Sequence, residues 1–230
     1  MKVEQVSTSV HRIAMGLVNA YVIQGSADVT LVDTGMPGSA SAILAAVEEL
    51  GRGPGEVGRI ILTHLHYDHT GSVTKLREHL SAPVVMHPTD AELLRQGRVA
   101  RDFLPAPRFW ARLMSAWMRG IPRTIDPIEV EEEVADGQVL PDVADARVIH
   151  VPGHAAGQIA LLLPEDGGVL IAADAASNFF RLDYPPIFEE LERGRESLLR
   201  LSAESFEISC FGHGRVIRKG ASAAFQRRFA

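Results

Sequence analysis

Apolar residues in this chain fall into strand-length blocks set off by turns rich in glycine, proline and aspartate. Val18 to Ile23 and Val29 to Val32 read as two strands joined by the turn signal Gly25-Ser26-Ala27-Asp28. Met36-Pro37-Gly38-Ser39 then opens a helix from Ser41 to Leu50. Past the glycine-rich loop Gly51 to Gly55, the run Arg59 to Thr63 is a further strand. A helix through Val73, Leu76 and Leu80 to His79 and a short strand, Val84 to Met86, follow. A second half begins near Gln138, with strands around Arg147 to Val151, Gln158 to Leu163 and Val169 to Ala172. A helix from Phe188 to Ala203, a strand Glu207 to Cys210 and a terminal helix complete it. Strands alternating with helices predict an α/β fold. In both halves an apolar strand ends on an aspartate before a small-residue loop, at Asp33 and Asp174. Ends of strands are where α/β architectures place binding groups, so both are site candidates.

The segment from Pro88 to about Asp136 separates the halves and predicts a helical insertion. Phe109, Trp110, Leu113, Met114, Trp117 and Met118 follow helical spacing on one broad apolar face, with Arg108, Arg112 and Arg119 on the opposite side. That face is a lid or acyl-binding wall, or else a surface packed on the core or shared by two copies of the chain in a homodimer. Met15 and Leu17 in the opening loop, and Asn178 and Phe179 after Asp174, are further candidates for a substrate wall.

Composition narrows the setting. The 230 residues, 46 % hydrophobic with mean hydropathy +0.06, are those of a globular protein, and one domain over 1–230 is expected. A net charge of −6 and a pI near 5.8 argue against nucleic-acid or anionic-membrane partners, whose binding rests on clustered Lys and Arg. One cysteine, Cys210, rules out an internal disulfide, and the start of the chain lacks the apolar run of a secretion signal, so the cytoplasm is the expected compartment. No apolar stretch approaches the roughly 20 residues that cross a bilayer.

The chemistry concentrates in His64-Leu65-His66-Tyr67-Asp68-His69, three imidazoles and a carboxylate in one short stretch. Packing has no use for so much titratable surface, whereas a metal ion does. In an extended chain side chains two apart point the same way, so His64 and His66 can grip one ion. Asp68 and His69, on the turn that follows, can reach a second ion. Imidazole and carboxylate suit zinc, iron and manganese. Three other loops rich in small residues each carry one further ligand candidate: His154 in Pro152-Gly153-His154, Asp174, and His213 in Gly212-His213-Gly214. His11, His79, His87 and His150 lie outside these motifs and read as surface or core histidines.

This order of HxHxDH, PGH, strand-end Asp and GHG resembles the metallo-β-lactamase superfamily over nearly the whole chain, and the Asn19-to-Ile23 and Leu31-to-Gly35 segments look like that family's opening. The resemblance implies an αβ/βα four-layer sandwich: two mixed β-sheets face to face, helices outside, a metal site at one edge. It also implies that His64, His66 and His154 hold one divalent metal, zinc by preference with iron or manganese as alternatives. Asp68, His69 and His213 would hold a second, with Asp174 bridging the two together with a hydroxide. Asp33 is the expected acceptor that fixes a ligand imidazole.

Such a centre implies hydrolysis of a small ester, thioester or lactone with an apolar portion, Asp68 handing a proton to the leaving group. Antibiotic-hydrolysing members typically lack an aspartate like Asp174, so the set looks more like the glyoxalase II and lactonase branch. Glyoxalase II carries a glutathione-binding helical region after its last metal histidine, and little chain follows His213 here. Quorum-quenching lactonases place a tyrosine close behind the bridging aspartate, where this chain has none before Tyr184. The alternative is an iron-dependent redox enzyme of the same fold, similar to the persulfide dioxygenases.

Overall fold

The computed structural model describes residues 2–25 and 27–230, and of Trp110, Met114, Trp117 and Met118 only the backbone; Ser26 of the first expected turn lies outside the described residues. In chain order the strands of the first half are β1 (Lys2–Gln5), β2 (Val10–Met15), β3 (Val18–Gln24), β4 (Val29–Val32), β5 (Val57–Ile61), β6 (Val84–Met86), β7 (Leu104–Pro105) and β8 (Glu132–Glu133). Those of the second are β9 (Val139–Leu140), β10 (Ala146–His150), β11 (Ile159–Leu163), β12 (Val169–Ile171), β13 (Ile187–Phe188) and β14 (Ile208–Cys210). The α-helices are α1 (Ala40–Glu49), α2 (Tyr67–Thr70), α3 (Val73–Arg77), α4 (Pro88–Arg95), α5 (Phe109–Met118), α6 (Leu191–Ser202) and α7 (Ala221–Phe229).

Two mixed sheets result. One runs β1-β2-β3-β4-β5-β6-β8, antiparallel up to β4 and parallel beyond it. The other runs β14-β12-β11-β10-β9, with only the β12/β14 pair parallel. Period-two alternation of the strands sorts their side chains into three buried layers. Val32, Ile61 and Val85 of the first sheet face Leu161, Val169 and Ile171 of the second across the central layer. Leu31, Ile60 and Val84 point the other way, onto Ile43 and Val47 of α1 and Leu76 of α3. Ala160 and Leu170 point outward from the second sheet, onto Leu198 and Leu201 of α6 and Phe225 of α7. Helix, sheet, sheet, helix is the four-layer order expected. Among the described residues no helix is long and apolar enough to cross a membrane.

Several elements differ from the sequence pattern. The hairpin of β1 and β2 is absent from it, because solvent-facing polar residues interrupt the apolar alternation there. The helix expected through Val73 and Leu76 is the short α3, and the turn expected to carry Asp68 and His69 is a separate short helix, α2, parted from it at Gly71-Ser72. A Cβ on Gly71 would lie 2.4 Å from Pro37 Cδ, while Ser72 Oγ donates to Met36 O at 2.6 Å. The Asp33-to-Pro37 loop thus docks where the helix would have continued. The segment 88–136 is also less of an appendage than expected: Ala91 and Leu94 of α4, with Ile128 and Val130, belong to the first core layer, and β8 extends the first sheet.

Candidate metal centre

Seven side chains from four segments of the chain meet at the edge where the sheets join. His64 and His66 follow β5, Asp68 and His69 lie in α2, His154 sits between β10 and β11, Asp174 follows β12, and His213 follows β14. Backbone hydrogen bonds tie the sheets together at this edge, Ile159 N donating to Thr63 O at 2.9 Å and Asn19 N to Gly212 O at 2.8 Å. The strand before the motif stops at Ile61, so His64 and His66 are carried by a loop rather than by strand alternation. The loop reproduces the alternation because Leu65 is pinned: its side chain is fully buried and its N–H donates to Asp90 Oδ2 at 3.1 Å.

Donor atoms of His64, His66 and His154 all lie within 4.8 Å of one another, as do those of Asp68, His69 and His213, and those of His64, His69 and Asp174. The Asp174 carboxylate stands between the first two groups, its Oδ2 3.4 Å from His154 Nε2 and 3.1 Å from His213 Nε2, its Oδ1 3.7 Å from His69 Nε2. Four buried atoms facing this space, the Nε2 atoms of His64, His69 and His154 and Oδ1 of Asp174, have no hydrogen-bond partner within the protein. Leaving such groups unpaired costs roughly 1–3 kcal/mol each. A divalent cation satisfies all of them, and the donor chemistry fits one.

In four of the five imidazoles the opposite ring nitrogen is engaged. His69 Nδ1 meets Asp33 Oδ2 at 2.8 Å, His154 Nδ1 meets Ile187 O at 3.0 Å, and His213 Nδ1 meets Leu17 O at 2.8 Å. A carbonyl or carboxylate only accepts, so each Nδ1 carries a proton and Nε2 is the nitrogen turned toward the centre. His64 Nδ1 lies 2.9 Å from Thr63 Oγ1, whose own proton goes to Asp33 at 2.8 Å. Asp33 therefore orients two imidazoles, one directly and one through Thr63. It does so from a left-handed backbone conformation, φ +62°, that aims its carboxylate back across the strand ends. Ala173, immediately before Asp174, is also left-handed, at φ +47°.

Burial, reinforced by the neighbouring imidazoles of His69 and His66, holds His64 well below the usual imidazole range. Burial likewise lowers His154 and pushes His66 down to about 3. These three are neutral and could serve as ligands. Burial would also lower His69 and His213, but the surrounding carboxylates, Asp174 foremost, raise His69 well above its ordinary value and His213 to about 10. Asp68 and Asp174, which burial alone would raise, are pulled below the carboxylate range by His69 and His213. Protons and dications thus compete for the same oxygen-rich half of the centre.

Beneath the loops lies a network that the sequence did not disclose. Asp90, fully buried in α4, accepts from Leu65 N at 3.1 Å, Gly157 N at 2.9 Å and Arg101 Nη1 at 2.6 Å. Glu189 accepts from Ala156 N at 2.7 Å and from the same guanidinium at 3.3 Å, and burial raises it to about 7. One α4 carboxylate thus ties the His64-to-His66 loop to the loop after His154. His150 Nε2 lies 2.9 Å from Ala156 O, and its ring stacks on His87 at 4.0 Å, outside the ligand cluster.

The expected substrate-wall residues scatter. Phe179 stacks on the His213 ring at 5.8 Å. Leu17 is 72 % exposed and contributes its carbonyl rather than its side chain. Met15 packs against the first core layer, near Gly35. The Asn178 amide is spent on Arg215 O at 2.7 Å, holding the loop that carries His213. The side chains of Trp110 and Trp117 lie outside the described residues. The cavity beside the cluster, about 240 Å³, is instead walled by Tyr67, Val99, Phe103, Ile121, Pro122 and Ile187, together with His66 and Asp68. Arg119, expected on the face opposite the apolar one, lines this cavity together with Arg123.

Gly212 shows how tightly the centre is closed: a Cβ there would fall 2.0 Å from Asp174 Oδ1 and 2.7 Å from His69 Cε1. Gly212→Ala is expected to displace Asp174 and cut bound metal at least by half, measured by elemental analysis of protein purified in excess zinc, with the far-UV circular dichroism unchanged.

Comparison with known proteins gives a consistent picture. The family model of the metallo-beta-lactamase superfamily matches residues 14–213. The "Probable metallo-hydrolase YflN" of Bacillus subtilis is 30 % identical over 230 aligned residues, 91 % of this chain and 85 % of that protein. An uncharacterized protein of the same organism, YobT, is 28 % identical, covering 87 % of this chain and 84 % of its own. Among solved structures, a HARLDQ-motif mutant of a Cronobacter sakazakii metallo-beta-lactamase superposes with a TM-score of 0.73 over 93 % of this chain and 80 % of that one. At 22 % identity that likeness speaks for the fold alone.

Proposed function

This chain belongs to the metallo-β-lactamase superfamily, and on that premise we propose that it is a hydrolase using two divalent metal ions, zinc by preference, to cleave a small ester, thioester or lactone with an apolar portion. The observation that carries the reading is the set of unpartnered buried donor atoms of His64, His69, His154 and Asp174, grouped with His66 and Asp68, which line a largely apolar cavity. When bound, two such ions would supply a water nucleophile at neutral pH and polarise the substrate carbonyl.

The chain's own residues do the rest. His64, His66 and His154 would hold one ion as neutral imidazoles. Asp68, His69 and His213 would hold the other, with Asp174 shared between them. Asp33, Thr63 and the carbonyls of Ile187 and Leu17 fix the rings. Asp68 carries no proton at rest, so its carboxylate can take one from the attacking water and deliver it to the departing oxygen or sulfur. Val99, Phe103 and Ile121 cover the acyl portion and keep bulk water from it. Tyr184 takes no part, being packed between Phe188 and Phe229 beneath Arg228.

Metal analysis of protein purified without added metal, followed by assay against p-nitrophenyl esters, lactones and acyl thioesters, tests this reading. Near two zinc or manganese ions per chain with ester turnover is the expected result. Stoichiometric iron with oxygen uptake and no hydrolysis would replace it with the redox alternative. Chelation is expected to abolish turnover and lower Tm by several degrees, because the centre then loses a ligand that binds only the folded state, and zinc is expected to restore both.

A further inference from the structure

The 95–123 segment holds seven of the chain's 23 basic residues, all arginine, and one of its 29 acidic residues, Asp102. A strongly basic arm therefore lies against the ligand cluster of an otherwise acidic protein. Most of its arginines are accounted for. Arg95 pairs with Glu133, Arg101 with Asp90 and Glu189, and Arg108 with Asp183. Arg123 pairs with Asp102, whose side chain is fully exposed, so that ion pair holds it only weakly. Arg119 has no carboxylate partner among the described residues, and it lines the same cavity as His66 and Asp68. The rest of that wall is largely apolar: Val99, Phe103, Ile121 and Ile187.

From this arrangement we infer that the substrate is an acyl compound whose far end is a carboxylate, held by Arg119 with Arg123 beside it, while its apolar chain lies along the cavity and its reacting carbonyl meets the ligand cluster. The inference rests on the hydrolase reading for its chemistry and adds the charge of the substrate. A guanidinium presents a planar fork that matches a carboxylate with two parallel hydrogen bonds. The size of the cavity, about 240 Å³, is below the roughly 300–1,000 Å³ of sites for drug-sized ligands, which favours a short chain with a compact head group. The arm also serves approach: a local cluster of arginines on an acidic protein draws a small anion toward this face.

The test compares the zinc-loaded enzyme on mono-p-nitrophenyl adipate, pimelate and suberate with p-nitrophenyl esters of neutral acids of the same chain length. The expected result is a kcat/KM preference of about tenfold for the anionic ester at one or more lengths, carried mainly by KM. Arg119→Gln should erase most of that preference and Arg119→Lys part of it, since lysine keeps the charge without the fork. Arg112→Gln, the same charge change on α5 away from the cavity, should keep it. Equal use of neutral and anionic esters by the parent enzyme, or equal loss of preference in the Arg112 and Arg119 variants, would overturn the inference while leaving the hydrolase reading intact. If no ester of either charge is hydrolysed, the hydrolase reading falls instead, and calorimetric binding of hexanoate against hexanamide then decides the anion site. Weaker hexanoate binding in Arg119→Gln supports it, and unchanged binding refutes it.

Discussion

Asp68→Asn is expected to lower kcat by about two to four orders of magnitude on esters with poor leaving groups, the range by which a positioned acid or base accelerates such reactions. Asparagine keeps the size of the side chain and one oxygen donor, but it neither holds nor moves a proton. Asp68 Oδ2 lies 3.2 Å from His213 Nε2 and 3.8 Å from His69 Nε2, and the side chain is 28 % exposed, so it lies at the mouth of the cluster and not in the packed core. The fold should survive, with Tm within a few degrees of the parent. Leaving-group dependence separates the two roles of this residue. A p-nitrophenolate departs without a proton, so the variant should lose much less on p-nitrophenyl esters than on alkyl esters or thioesters. An equal loss on all of them, in step with lost metal, would make Asp68 a ligand only; full activity on alkyl esters would remove it from the chemistry altogether.

Asp90→Ala is expected to be the most destabilising single substitution near the centre, although Asp90 touches no ligand. Removing its carboxylate strands the N–H groups of Leu65 and Gly157 and leaves the Arg101 charge with only Glu189, at 3.3 Å. Breaking a buried ion pair by removing one partner costs about 3–5 kcal/mol. That is a large share of the roughly 5–15 kcal/mol by which a domain is stable. Both loops it joins carry ligands, so zinc affinity should fall along with the urea midpoint. Glu189→Gln is the contrasting case. Burial already raises that carboxyl to about 7, so near neutrality its charge is only half present, and the amide oxygen can still accept from Ala156 N. Its effect should stay within about 1 kcal/mol. Urea unfolding of the two variants, metal-loaded and chelated, checks the difference; equal destabilisation would mean that Arg101, and not the loop tie through Asp90, carries the network.

Much of this protein is legible in one dimension because its signals are local. A strand buried on both faces writes itself as an unbroken apolar run, as in β6 and β12, and a ligand cluster on one segment writes itself as His64 to His69. Strand-end aspartates are visible for the same reason, and Asp33 and Asp174 both lie at the sheet edge where the ligands meet. The order of the motifs carried the four-layer arrangement through family resemblance.

Tertiary structure decided whatever depends on groups far apart in the chain. The acceptors for His154 and His213 are the main-chain carbonyls of Ile187 and Leu17, and a carbonyl has no residue type by which a sequence could announce it. Asp90 looks like any acid in the first turn of a helix until α4 packs beneath Leu65 and Gly157. Arg119 reads as the solvent side of an amphipathic helix, yet it lies just past the end of α5, where the chain turns back and brings it to the cavity. Periodicity fixes which side chains share a face of one element, but only the packing of elements fixes what that face meets.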